Sequence, residues 1–478
     1  MTEIPKRNRS GVRGEGDDYQ HLVTLNEALR AMRGNGVVAV TVEADGAGNV
    51  DDIVLHDESG PARFTQVKHA VDAKTPVNSD YLLQPTRKGL RSLLQRFRDS
   101  WQQLREARTP EMVLVTDRDI DPNDDIFKVL DRRTGRLVPD FADKSLDSER
   151  AVWAEHLDTN DEELIDLLGA LRFETGRSMA AERELAQVQM EALGLADDQR
   201  AVDSAMAFVR GWVQERDRTL TVREVTDALI ERVGRRTDPR GLLVVEGIDD
   251  HAAGDAADVT VRFVELYLGD EPYSRFELRS PADWQDVVWG DLVGAAATFS
   301  GRGLHDVVVA GAMRLPMWFA TGCAFRGVEG FNVSTTRLGQ EWTSREIGAK
   351  PALEVEVVEV GDGSDRRIAV VLSIAADAAD AGLAHAKLLG VGTVVLIAPA
   401  AGPSSGAISD APAGTAMAEA IRNAVREHLA PNTTEVHLYL AAPAGLALVL
   451  GNRWNRLRQT VVYEHTPAGY VRTLTLPA

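Results

Sequence analysis

Cysteine is almost absent: Cys323 is the single one in 478 residues. One thiol excludes an internal disulfide framework and a multi-cysteine zinc cluster, and its apolar surroundings make it a buried side chain without chemistry. Long apolar runs are missing too, with none of eighteen residues, and residues 1–16 are polar and mixed in charge. Neither a membrane span nor a secretory leader is therefore expected, which places the chain in the cytoplasm with no membrane partner. Positive charge is in deficit: 53 Lys and Arg against 73 Asp and Glu leave a formal net charge of −20. Such a surface repels a phosphate backbone over the range that salt leaves unscreened, so any contact with nucleic acid must be local.

What is present is length, enough for two or three domains that each bury a core. A helical pattern over 19–32 ends at the glycines of 34–36, and β-rich segments follow at 37–43, 50–56 and 63–69. A short apolar run at 112–116, ending in Asp117, reads as a buried central strand. From 118 to 234 the pattern is mostly helical, with capping boxes expected at 159–162 and 221–224. Beyond 240 strand candidates lie at 259–267, 307–310, 354–360, 368–374, 393–397 and 435–440, with helices between several of them. Such alternation predicts parallel sheets covered on both faces, hence a mixed α/β fold. A loose doubling is visible: strand 307–310 feeds a helix through Trp318, and strand 435–440 feeds one through Trp454. The expected domains are 1–155, a helical connector at 156–240, and 241–478.

One constellation carries chemistry. Glu43 and Asp52 flank a turn, and Gln66-Val67-Lys68 lies on the next strand. Side chains alternate along a strand, so Gln66 and Lys68 point one way and Val67 the other. Metal-assisted phosphodiester hydrolysis needs oxygen ligands for a hard cation and a group that holds the attacking water. Asp52 and the Gln66 amide oxygen can be ligands, and Lys68 can offset charge on the phosphorane. Between 87 and 108 seven basic residues face two acidic ones, with Leu90, Leu94, Phe97, Trp101 and Leu104 at helical spacing. A solvated surface helix has this pattern; its place beside the candidate centre sets DNA contact through Arg87, Lys88, Arg91 and Arg98 level with that reading.

The first 120 residues resemble the PD-(D/E)xK nuclease superfamily, in its variant with Gln-x-Lys for Glu-x-Lys. The resemblance implies a restriction-endonuclease-like domain with Asp52, Gln66 and Lys68 catalytic and Asp52, Gln66 and Glu43 near Mg2+ or Mn2+. Glutamine removes one negative charge, so metal affinity rests more on Asp52, with Glu43 or Asp51 as helper and Gln20 of the first helix facing the site.

The stretch from Glu435-Val436-His437-Leu438-Tyr439-Leu440 through Gly451-Asn452-Arg453-Trp454-Asn455 resembles a SAVED domain, two fused Rossmann-like (CARF-like) halves. The pair of domains is similar to the CD-NTase-associated SAVED effector nucleases of cyclic-oligonucleotide anti-phage defence (CBASS). That resemblance implies a cyclic oligonucleotide activator, a trinucleotide foremost, made by a partner CD-NTase. Its binding would drive self-association and metal-dependent cleavage of double-stranded DNA with little sequence preference. Ligands of open parallel sheets lie beyond the strands' carboxyl ends, where helix N-termini offer free amides. Arg314, Ser373 and Pro443 occupy such positions; Arg314 can pair with a phosphate, and Trp318 or Trp342 can stack a base or fill a core. Two rival readings remain open: a ligand-responsive DNA-binding protein that does not cut, and an off-switch that degrades the nucleotide signal.

Overall fold

The structure is a computed structural model that describes residues 9–477 apart from 35, 71–74, 86–89, 132–133, 338–339 and 361–365. Met112, Val113, Leu114 and Val115 are all fully buried. Successive residues can be buried on a strand only when both faces are covered, which makes this segment the middle of a layered sheet. The chain divides into two compact units, Met1–Asp238 and Pro239–Ala478.

The first unit runs α1 (Arg9–Met32), β1 (Ala39–Val42), β2 (Ile53–Asp57), β3 (Gly60–Lys68), α2 (Ser79–Leu83), α3 (Leu93–Leu104), β4 (Glu111–Thr116), α4 (Asp147–Leu157), α5 (Asp161–Gly169) and β5 (Leu171–Glu174). It continues with α6 (Met179–Ala192), α7 (Gln199–Gln214), β6 (Arg218–Thr221) and α8 (Val222–Val233). The six strands form one sheet in the order β5-β4-β3-β2-β1-β6. β1, β2 and β3 are joined antiparallel, whereas β3, β4 and β5 run parallel. Val40, Ile53, Val67 and Val115 face α1 and α6 to α8 on one side; Val54, Phe64 and Leu114 face α3 to α5 on the other.

Segment 156–240 is no free-standing connector. β5 and β6 close the two edges of the sheet, and α6 to α8 bury apolar faces against α1. The helix after Thr159 is capped by Asn160, whose side chain accepts from the Glu163 amide, so the expected box there is not formed. The box of Thr221 and Glu224 is.

The second unit runs β7 (Gly241–Glu246), β8 (Val259–Arg262), α9 (Gly290–Gly301), β9 (Asp306–Ala312), α10 (Leu315–Ala324), β10 (Asn332–Arg337), β11 (Gln340–Thr343) and β12 (Leu353–Glu359). β13 (Arg367–Ser373), α11 (Ala379–Leu388), β14 (Thr393–Pro399), α12 (Ala411–Glu427), β15 (Glu435–Ala441), α13 (Ala444–Arg453), β16 (Gln459–Thr466) and β17 (Gly469–Leu476) complete it. Two sheets result, β11-β10-β9-β7-β8 and β12-β14-β13-β15-β16-β17. Apart from β12 they share one plan: three parallel strands, a fourth parallel strand after the central helix, and an antiparallel edge.

The doubling is thus structural. β9 and β15, like α10 and α13, begin 129 residues apart, Asp306 to Glu435 and Leu315 to Ala444. The expected strand 259–267 ends at Arg262, after which the chain turns into a 3-10 segment, Val264–Leu266. α10 and α13 meet at two glycines. A Cβ on Gly322 would lie 2.0 Å from the Leu448 carbonyl oxygen, and one on Gly451 would lie 2.1 Å from that of Phe319. Only glycine admits so close a backbone approach.

Candidate functional site

Residues leading into β2 and ending β3 form the first constellation. Gln66 and Lys68 alternate with the buried Val67, so both project on the side of Phe64 and α3. Asp52 stands just before β2, and its Oδ2 accepts the Val67 backbone N–H at 2.6 Å. The Gln66 amide also donates to that oxygen. From α1, the Gln20 amide donates to Glu43 Oε1 at 2.6 Å and lies 3.5 Å from Asp52 Oδ1. Two carboxylates and two amides therefore alternate: Glu43, Gln20, Asp52, Gln66. Asp51 is beside Asp52 in the chain, its carbonyl held by the Ala44 N–H. Glu43 adopts a left-handed backbone with φ 48°. Such angles are strained for a residue with a side chain and concentrate at functional sites.

Burial pushes the Asp52 carboxyl up to about 6, opposed first by the nearby Lys68 charge. Burial likewise pulls the Lys68 amino group below its ordinary value, opposed first by Asp52. Each charge thus stabilises the other in a place that would otherwise neutralise both.

The donors suit a hard cation. Glu43 and Asp52 supply carboxylate oxygens, and a half-turn of the Gln20 or Gln66 amide would present its oxygen in place of its N–H. Among the described residues no three His, Cys, Asp or Glu side chains cluster as a metal cage. A cation held by two carboxylates and amides must keep several waters, which is how magnesium binds.

Three residues that the sequence reading did not single out brace the end of β3 against the middle of α1. His69 Nδ1 lies 2.8 Å from Asp117 Oδ2, and Asp117 Oδ1 accepts the Ala70 N–H at 2.8 Å. The Tyr19 ring packs 5.4 Å from that of His69, and its hydroxyl donates to the Arg177 carbonyl at 2.8 Å. Asp117 was legible only as the end of an apolar run.

The basic run is largely engaged within the protein. Arg87 and Lys88 lie outside the described residues. Arg91 pairs with Asp99, and Arg98 donates to the carbonyls of Leu157 and Asp158, fastening α3 to the end of α4. An arginine so employed is not a free DNA contact, which corrects the expectation for Arg98 and leaves Arg91 exposed but paired.

In the second unit Arg314 caps α10 at the carboxyl end of β9, as expected. Its guanidinium donates to the Arg275 and Pro272 carbonyls at 2.8 and 3.2 Å and lies 3.9 Å from the Phe276 ring centre. It therefore fastens the 268–279 loop in this state. Pro443 caps α13 at the matching position, 129 residues on. Ser373 ends β13, and its hydroxyl accepts the Ala378 N–H at 3.0 Å, a turn brace. The counterpart in the first half is Glu246, which accepts the His251 N–H at 3.1 Å.

Trp318 and Trp342, 1% and 4% exposed, are core side chains and not stacking platforms. Trp342 lies flat over Gly445, where a Cβ would come within 2.1 Å of its ring. Unforeseen is Glu464 on β16, buried with Oε2 unbonded and its carboxyl pushed up by burial to about 7 against the pull of Arg314. Tyr267, fully buried with an unbonded hydroxyl, feels the Glu464 charge. An open pocket of about 740 Å³ lies elsewhere, lined by Gln285, Trp289, Gln459, Arg472 and Thr475 and by none of the five expected ligand residues. No helix among the described residues is long and apolar enough to cross a membrane.

Residues 295–476 match the family model described as "SMODS-associated and fused to various effectors sensor domain", SAVED. The CD-NTase-associated protein 4 of Enterobacter hormaechei subsp. hoffmannii (strain UCI 50) is 25% identical over 495 aligned residues, covering 94% of this chain and 95% of that protein. Among solved structures, the Acinetobacter baumannii Cap4 SAVED/CARF-domain containing receptor with the cyclic trinucleotide 2'3'3'-cAAA is similar at 13% identity and TM-score 0.44, covering 100% of both chains. The Moraxella osloensis Cap4 SAVED/CARF-domain containing receptor is similar at 13% identity and TM-score 0.42, over 97% of this chain and 99% of that one.

Proposed function

We propose that this chain, which carries a SAVED sensor domain in its C-terminal unit, is an effector of bacterial cyclic-oligonucleotide defence whose N-terminal unit cuts double-stranded DNA. The observation that carries the reading is the convergence of Asp52, Gln66 and Lys68, with Gln20 and Glu43, at one end of the first sheet. Asp52, Glu43 and the Gln66 oxygen would hold Mg2+ or Mn2+, and the cation would supply polarisation of the phosphate and an activated water. Lys68 holds the attacking water and faces the growing phosphorane charge in a partly dehydrated site, where attraction counts for more than in water.

The activator is a cyclic oligonucleotide supplied by a CD-NTase, and a ring of three nucleotides fits best. The matched positions of the two halves differ: Arg314 against Pro443, and Glu246 against Ser373. A pocket whose halves differ chemically favours a ligand without two-fold symmetry, and an odd ring has none. Activation follows if the ligand binds an assembled state better than the free one, which ties sensing to self-association.

The test is plasmid cleavage with Mg2+ or Mn2+ and a panel of cyclic di- and trinucleotides. Ligand-dependent cutting by wild type that Lys68→Ala abolishes is expected. Binding of the plasmid without cutting, or hydrolysis of the cyclic nucleotide in its place, would replace the reading with one of its two rivals.

A further inference from the structure

α3 lies over the face of β3 that bears the candidate centre. Leu94 and Phe97 of α3 pack with Phe64, Val54 and Leu114, and Phe64, Gln66 and Lys68 alternate onto that same face. Arg96, between those two α3 anchors, is half-buried. Its charge is among the causes that keep Lys68 below its ordinary value, and it bears on the Tyr81 hydroxyl as well, so it stands near both.

The other described cations of the run have partners. Arg91 pairs with Asp99, Arg98 holds two carbonyls, Arg105 lies 4.2 Å from the Trp101 ring centre, and Arg108 pairs with Asp57 at 2.7 Å. Among the described residues the Arg96 guanidinium makes no hydrogen bond or ion pair, and its Nε is buried without one. Leaving a charged, partly dehydrated donor unpaired costs free energy, and a second cation beside Lys68 adds repulsion. Among the described residues no carboxylate pairs with the Arg96 guanidinium, although the chain carries a net charge of −20. What answers a planar guanidinium next to a lysine is an oxyanion that arrives from outside, and phosphate accepts two of its N–H groups at once.

We propose that Arg96 binds a phosphate of the DNA strand held at the Asp52, Gln66 and Lys68 centre. The inference rests on the nuclease reading for the identity of that strand. It gives a single strong local contact on an acidic protein, at a residue whose neighbours in sequence are spent on internal bonds.

The test measures binding apart from cutting. A fluorescein-labelled duplex is titrated with full-length wild type, Arg96→Ala, Arg96→Gln and Arg96→Lys in EDTA, with and without cyclic tri-adenylate, over a salt series. Loss of one phosphate contact lowers the slope of log affinity against log salt by about one and weakens duplexes of any sequence by about tenfold. Both neutral variants should show this and Arg96→Lys should regain the slope, with melting curves confirming that each folds. Wild-type slope in the neutral variants, no rescue by lysine, or no duplex binding by wild type under either condition overturns the proposal. Plasmid cleavage separates the two ideas. If wild type cuts and the neutral variants bind and cut as well as it does, the inference fails and the nuclease stands. If they lose the contact while wild type cuts nothing with Mg2+ or Mn2+, the nuclease reading fails and the phosphate contact stands.

Discussion

Asp52 and Lys68 each occupy a place that favours the other's charged form and disfavours its own. Removing either leaves the remaining group as an uncompensated charge or drives it neutral. Lys68→Ala is accordingly expected to lower DNA cleavage by about a thousandfold or more while the fold persists, since lysine sits at the end of β3 and is only half-buried. Cleavage rate and far-ultraviolet circular dichroism measured together check this. The Asp52 carboxyl also sets a pH dependence. Its value rises from 3.8 to about 6 on folding, so the folded protein binds that proton more tightly than the unfolded chain. Its contribution to stability is complete below about pH 4 and is lost as pH rises through about 6. A divalent cation competes with the proton for the ionised carboxylate. The rise in melting temperature caused by millimolar Mg2+ should therefore be small at about pH 5 and larger at about pH 7. Asp52→Asn should remove most of that difference, and an equal magnesium effect at both pH values would count against Asp52 as a ligand.

At the scale of elements, the contact of α10 with α13 is the least tolerant place in the second unit. A Cβ on Gly451 would stand 2.1 Å from a backbone carbonyl, which no flexible side chain can relieve. Gly451→Ala is expected to destabilise that unit by about 3 kcal/mol, the upper end of ordinary overpacking costs. The corresponding fall in melting temperature is on the order of 6–10 °C, measurable by calorimetry. The sequence made strands β1 to β4 readable because their apolar residues alternate or run together, and turn residues bound them. It concealed β5 and β6, each four residues long: Leu171–Glu174 and Arg218–Thr221 are pieces no longer than a helical turn. Amphipathic α6 to α8 were visible as helices, but a hydrophobic stripe does not name the surface that covers it, and that surface is α1. The same gap hid the fates of Trp318 and Trp342, since the glycine beneath Trp342 is 103 residues away, at Gly445. Conversely, the common side of Gln66 and Lys68 was legible because period two alone fixes it. Asp117 was missed because it acts through His69 and the Ala70 N–H, contacts that cross between strands.

The whole molecule has separate hydrophobic interiors on either side of residues 238 and 239, those of the sheet with α1 and α3 and that of the doubled half. Independent cores unfold as independent cooperative units unless something couples them, so two heat-absorption transitions are expected for the full chain. Gly451→Ala identifies the second unit's transition, because it should move one peak and leave the other. A cyclic oligonucleotide that binds the folded second unit stabilises it by about 2.7 kcal/mol at a hundred times its dissociation constant. In wild type at low protein concentration that peak alone should rise. If ligand binding also drives assembly, part of the stabilisation comes from contacts between copies, and the rise becomes dependent on protein concentration. Calorimetry across a concentration series, with sedimentation on the same samples, therefore separates sensing from assembly. A ligand-induced rise independent of concentration, together with an unchanged monomer that nonetheless cuts DNA, would show that the signal reaches the proposed Asp52, Gln66 and Lys68 centre without self-association.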